Sequence, residues 1–187
     1  MRCENFFPGG DASPAPRRST GWRAAGFSLV ELLTTMSVLA ILLAIASPGL
    51  ASLVSANALS AVQGQLAASL MLARGEAMKR GATVGLAAIA PVSGAEFSAG
   101  WLIFVDANGN GQYDAGETIV RQEDGPHGDV RIASSGGATA VTFNGRGFLT
   151  PSTLVTLTAC AAAASKSYVI RVEPVGLADV VEAAACT

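Results

Sequence analysis

The stretch Leu32–Ala46 carries no charged residue, and together with Phe27–Val30 before it makes an apolar run of about 20 residues. That is enough for a helix to cross a hydrocarbon core. One carboxylate, Glu31, interrupts the run near its start. An acid inside a span costs roughly 3 kcal/mol or more unless it is paired, so its presence points to a function. At the first turn of a helix the macrodipole and the interface also favour an acid, and the two roles are compatible. Arg17, Arg18 and Arg23 precede the run, which places the N-terminus on the cytoplasmic side and the rest of the chain beyond the membrane. Residues 1–25 are rich in Pro, Gly, Ser and Arg without a hydrophobic period, and are expected to be disordered and outside the mature fold. Ala44-Ile45-Ala46 could be read as a secretory cleavage site, but the helix-compatible pattern continues past it.

Pro48 should kink or locally melt that helix, because it lacks a backbone donor and clashes with the preceding turn. Beyond it Leu50, Val54, Ala58, Val62, Leu66, Leu70, Ala73 and Ala77 recur mostly at every fourth position. They predict one apolar stripe on an amphipathic helix that ends near Arg80, with Gly81 as its C-terminal cap. A helix from about Phe27 to Arg80 would be about 80 Å long. After Gly81 the period shortens. Residues 83–89, 100–105, 118–121, 130–133, 140–143, 154–158 and 168–172 read as strands between Gly, Pro, Asn and Asp turns. The expected class is α+β, a long helix laid on an antiparallel sheet.

The chain has 187 residues, room for one modest domain beside the extended helix. Before Phe27 four arginines face Glu4 and Asp11; from Phe27 onward eight Lys/Arg face twelve Asp/Glu, so the body is mildly acidic. Such a balance argues against a general nucleic-acid binder. No catalytic set stands out, and no enzyme activity is expected. His127 is the sole histidine and reads as a loop residue in Gly125-Pro126-His127-Gly128. Ser134-Ser135-Gly136-Gly137 reads as a turn, since a phosphate cradle needs a strand-to-helix context. Of three cysteines, Cys3 goes if the N-terminal segment is removed as a leader, which leaves Cys160 and Cys186 as an even pair in an exported body. A bridge closing that loop of about 26 residues would stabilise by roughly 3–4 kcal/mol.

Asp106, Asn108, Asn110, Asp114 and Glu117 fall at positions 1, 3, 5, 9 and 12 of a calcium-loop template, with Gly111 at its tight turn. Only three of them are carboxylates, and strands rather than helices flank the loop. The competing reading, which is preferred, is a hairpin turn with Asn and Gly at positive φ and Asp side chains capping backbone donors. Ca2+ is the one cofactor that the sequence raises.

The run Gly26-Phe27-Ser28-Leu29-Val30-Glu31-Leu32-Leu33 resembles the cleavage and methylation motif of type IV prepilins and type II secretion pseudopilins. Gly100-Trp101-Leu102-Ile103-Phe104-Val105-Asp106, the Asn/Gly turn after it, Gly116-Glu117 and Val141–Gly147 narrow the likeness to the GspH/FimT branch of minor pilins. The resemblance implies that a prepilin peptidase cuts between Gly26 and Phe27 and methylates the new N-terminus. It also implies that Glu31 meets the amino terminus of a neighbouring subunit. Pairing the ammonium with the carboxylate in lipid favours docking in register, because each would be costly alone. The implied organisation is a leader at 1–26, a transmembrane half-helix at 27–48, an amphipathic half at 49–81 and a periplasmic β-rich domain at 82–187. The implied partners are other pilin or pseudopilin subunits, the peptidase and an inner-membrane assembly platform. The implied place is the bacterial inner membrane, single-pass, and then a pilus or pseudopilus. Some members of the branch bind DNA through a Gly-Arg-x-Arg element. The corresponding Gly176-Leu177-Ala178-Asp179 lacks both arginines and has an acid, so nucleic acid is not an expected partner. Two alternatives stay open: a pilus-borne DNA receptor, and a single-pass periplasmic protein that is never processed.

Overall fold

The computed structural model describes residues 26–186. Residues 1–25, with Cys3 and the arginines of the expected leader, lie outside the described residues. Gly26–Ser28 is non-helical, and helix α1 runs over Leu29–Arg80. Its first turn closes where Leu32 N donates to Ser28 O at 3.1 Å. Its last turn carries Lys79 and Arg80, cations that complement the carbonyl end of the dipole. Gly81 caps it as expected at φ 63°, a conformation that costs glycine least, and Ala82 N donates back to Ala77 O at 3.3 Å. Among the described residues no single helix is long and apolar enough to cross a membrane. The pieces Leu29–Ile45 and Gly49–Arg80, taken as a pair across a break at 46–48 where Pro48 stands, meet that requirement by length and composition. The chain divides into two compact units at Leu42/Leu43.

The second unit carries eight strands among the described residues: β1 (Val84–Ala88), β2 (Gly100–Val105), β3 (Thr118–Asp124), β4 (Val130–Ser134), β5 (Ala140–Phe143), β6 (Val155–Ala161), β7 (Lys166–Val172) and β8 (Ala178–Ala184). They form two four-stranded sheets, ordered β3-β2-β1-β5 and β4-β6-β7-β8, and every pairing is antiparallel. The α+β class holds, with two sheets where one was expected. The sequence reading also missed β8, whose Ala-Asp-Val-Val-Glu-Ala-Ala has few β-formers. Seven register pairs with β7 supply the strand that propensity does not. The segment 134–137, expected as a turn, contains a short 3-10 helix at Ser135–Gly137.

One core joins the helix to both sheets. Leu59, Val62, Leu66, Leu70, Ala73 and Ala77 of α1 pack with Leu86, Trp101 and Ile103 of the first sheet and Ile132, Leu157 and Ile170 of the second. Each fully buried large aliphatic there contributes about 1.5–3 kcal/mol. The early part of the expected stripe is corrected: Leu50 is 64% and Val54 59% exposed, whereas Ser55 and Leu59 are buried. An α-helix turns 100° per residue, so stepping back from Val62 by fours drifts about 40° per step and leaves the buried face. The true face steps from Val62 to Leu59 to Ser55.

Outside the first sheet a second, smaller cluster buries Ala87, Leu102 and Phe104. Gly85 makes room for it, because a Cβ there would overlap the Phe104 ring. Tyr113, from the loop between β2 and β3, lies edge-on to that ring at 5.6 Å between centroids.

Candidate functional site

The residues singled out in the sequence lie at three separate points. The first is the start of α1. Every residue from 26 to 45 is exposed, including Phe27, Leu29, Val30, Leu32, Leu33, Met36, Val38, Leu39 and Ile41. Isolated in water, such a surface would be strongly unfavourable, and a contiguous apolar face of this extent marks contact with membrane or protein. Glu31 sits in the first turn of the helix, and its carboxylate has no hydrogen-bond or ion-pair partner among the described residues. Gly26 and Phe27 lie exposed in the non-helical lead-in to α1. The hydroxyls of Thr34, Thr35 and Ser37 donate back to carbonyls three or four residues earlier, at 2.8–2.9 Å, so these three hydroxyls are satisfied within the helix and the Glu31 carboxylate is not.

The second point is the loop between β2 and β3. The fold brings Asp106, Asn108, Asn110, Asp114 and Glu117 together and turns them on the loop itself. The buried Asp106 accepts from Gly109 N at 2.7 Å and Gly111 N at 3.0 Å, one on each oxygen. Glu117 accepts from Ala107 N at 2.9 Å and Asp114 N at 3.0 Å. Asp114 Oδ2 receives the side-chain amides of Asn108 at 2.8 Å and Asn110 at 2.6 Å. Asn108 and Asn110 in turn accept from Asn110 N and Gln112 N. Among the described residues no group of three or more His, Cys, Asp or Glu is arranged to hold a metal ion. The network closes a long hairpin and holds Tyr113 over Phe104.

The third point is the far edge of the second sheet. Cys160 on β6 and Cys186 form a disulfide with a Cα–Cα distance of 6.0 Å. It ties the tail that follows edge strand β8 to an inner strand two places away. Gly176 sits in the β7–β8 turn at φ 79°, and Asp179 lies opposite Arg171 in register. His127 lines a shallow groove of about 290 Å³ with Gln65, Glu123 and Asp124.

Residues that sequence reasoning missed hold the body together. Glu96 is buried, and its carboxylate accepts from Ser134 N at 2.9 Å and Gly94 N at 2.8 Å. The backbone N–H of Ser134 foremost, then those of Glu96 itself and Gly94, hold its carboxyl below the ordinary glutamate value. Asp129 ties Ser55 of α1 to Ala163 N in the β6–β7 turn, and that N–H is the main cause of its lowered pKa. Arg74 donates to Gly147 O at 3.0 Å and Val175 O at 3.3 Å, joining the two turns at the helix end. Apart from Gly94, two residues from Glu96, only the tertiary fold brings these partners near, and no local pattern announces them.

Residues 63–176 match the family described as Type II transport protein GspH, and residues 23–47 match the Prokaryotic N-terminal methylation motif. The chain belongs to the GspH family of pilin-like proteins. Proteins of this family are structural and not enzymes, and their partners are other pilin subunits. The GspH match spans about the last third of α1 and all strands up to β7. Among relatives, this GspH-family chain is 33% identical over 152 residues to Pilin-like protein PilA1 of Thermus thermophilus, covering 78% of this chain and 92% of that protein. Two crystal structures of the type IV minor pilin FimU of Pseudomonas aeruginosa share the fold. Their identities are 22% and 23% and their TM-scores 0.55 and 0.57, covering 66% and 67% of this chain and 92% and 89% of theirs.

Proposed function

We propose that this GspH-family chain is a minor pilin or pseudopilin with a structural, priming role in a type IV pilus or a type II secretion pseudopilus. A prepilin peptidase cuts between Gly26 and Phe27 and methylates the new terminus. The half-helix up to Pro48 anchors the subunit in the bacterial inner membrane, and the β-rich body lies in the periplasm. An assembly platform then draws the subunit into a bundle, in which Glu31 pairs with the amino terminus of a neighbour. The observation that carries this reading is the unpartnered Glu31 on the wholly exposed apolar stretch of residues 26–45, within the methylation motif. Removed from water, a carboxylate needs a cation, and a neighbour's terminal ammonium at the same depth supplies one.

Mass spectrometry of the mature N-terminus tests it. The expected species begins at a methylated Phe27. An intact leader, or a cut after Ala46, sinks the proposal. A companion variant, Glu31→Ala, should still be processed yet fail to enter filaments recovered by shearing.

A further inference from the structure

Three Asn-Gly pairs occur in turns, Asn108-Gly109 and Asn110-Gly111 largely exposed and Asn144-Gly145 half-buried. Asn-Gly is the pair most open to self-cleavage of the side-chain amide, because glycine leaves the backbone nitrogen unhindered. The structure treats the three differently. In the β2–β3 loop both attacking nitrogens are held, Gly109 N and Gly111 N donating to the two oxygens of Asp106. Both leaving amides are held as well, since Asn108 Nδ2 and Asn110 Nδ2 donate to Asp114.

At Asn144 neither the Gly145 nitrogen nor Asn144 Nδ2 has a hydrogen-bond partner among the described residues. The side-chain oxygen, in contrast, accepts two backbone donors, Arg146 N at 2.9 Å and Phe148 N at 3.2 Å. Those N–H groups point at the atom on which negative charge develops during attack at Cγ. A turn bond from Gly147 N to Asn144 O at 2.8 Å fixes the backbone. Glycine is required at 145, because a Cβ there would stand 2.5 Å from the Gly81 carbonyl carbon.

We propose that Asn144 is a self-modifying residue, deamidated by Gly145 with Arg146 and Phe148 N–H groups serving as an oxyanion hole. The Gly145 nitrogen gives its proton to solvent base and bonds to Asn144 Cγ. Solvent returns a proton to Nδ2, the Cγ–Nδ2 bond breaks and ammonia leaves, giving a succinimide. Water then opens that ring at either carbonyl, to aspartate or isoaspartate. The aspartate keeps both N–H acceptor contacts and places a new negative charge in a half-buried turn next to the exposed Arg146. The isoaspartate lengthens the backbone where Gly145 packs on Gly81, so the fold tolerates it less.

Peptide mapping by mass spectrometry tests this on the full chain in detergent, aged at mildly alkaline pH. The Asn144 peptide should gain the mass difference between water and ammonia at least about tenfold faster than the Asn108 and Asn110 peptides, a barrier difference of about 1.4 kcal/mol. In denaturant the three should converge, and Asn144→Gln should abolish the gain in its own peptide. Equal or slower conversion at Asn144 in the folded chain overturns the proposal. So does a ranking that survives denaturation, because the rates would then come from local sequence and not from the turn.

Discussion

Glu96 offers the sharpest check on how the body is held. It stands in the loop before β2, 4% exposed, with one carboxylate oxygen on Gly94 N and the other on Ser134 N of β4. Glu96→Gln keeps the shape but turns one acceptor into a donor that faces an N–H. It forfeits one charge-assisted bond, about 1.5–3 kcal/mol, and weakens the other, so the expected loss near neutral pH is about 2–3 kcal/mol. For a body of this size that lowers the melting temperature by roughly 4–12 °C. The pH profile separates this cause from simple misfit. The folded-state pKa lies below the ordinary value of 4.5, so the stabilisation is complete above that value and is lost as pH falls through the lowered one. Glutamine cannot titrate. The gap between wild type and variant in urea melts should therefore be widest near pH 7 and narrow steadily in acid. A gap that stays constant down to about pH 3, or none at pH 7, refutes the argument that the two N–H bonds to the ionised carboxylate are its source.

The remaining expectations concern the helix, the disulfide and the loop. Leu66→Ala should cost about 2–5 kcal/mol in a urea melt, while Val54→Ala in the unassembled subunit should stay within about 0.5 kcal/mol; equal losses would restore the four-residue stripe. Cys186→Ser should lose about 2–4 kcal/mol, and reductant should bring wild type to the same midpoint. Asp114→Ala should lower the melting temperature by the same amount with calcium or with a chelator present, because its carboxylate serves the Asn108 and Asn110 amides. A calcium-dependent rise in the wild type that the variant lacks would show the loop to be a metal site.

Much of this protein was legible in its sequence. The apolar run, the acid at its head and the change of period after Gly81 are local patterns, and local patterns suffice for a helix, its cap and short strands. The pair Cys160 and Cys186 could be named by arithmetic alone. Strand β8 could not, because Ala178–Ala184 is a strand only by virtue of β7 beside it. Nor could the partners of Glu96, Asp129 and Arg74, which lie between 34 and 101 residues away in several cases. The loop at 106–117 is the most instructive residue set. Its spacing allows two outcomes, cation cage or closed hairpin, and the spacing is the same for both. In the structure these side chains turn on the loop itself, and that direction goes with how β2 and β3 pair and where Tyr113 finds Phe104. Sequence by itself determined that this chain has an exposed apolar helix headed by Glu31 and a β-rich body. Tertiary structure alone decided which helix face is buried and which amides are held or left free, because those depend on contacts between residues far apart along the chain.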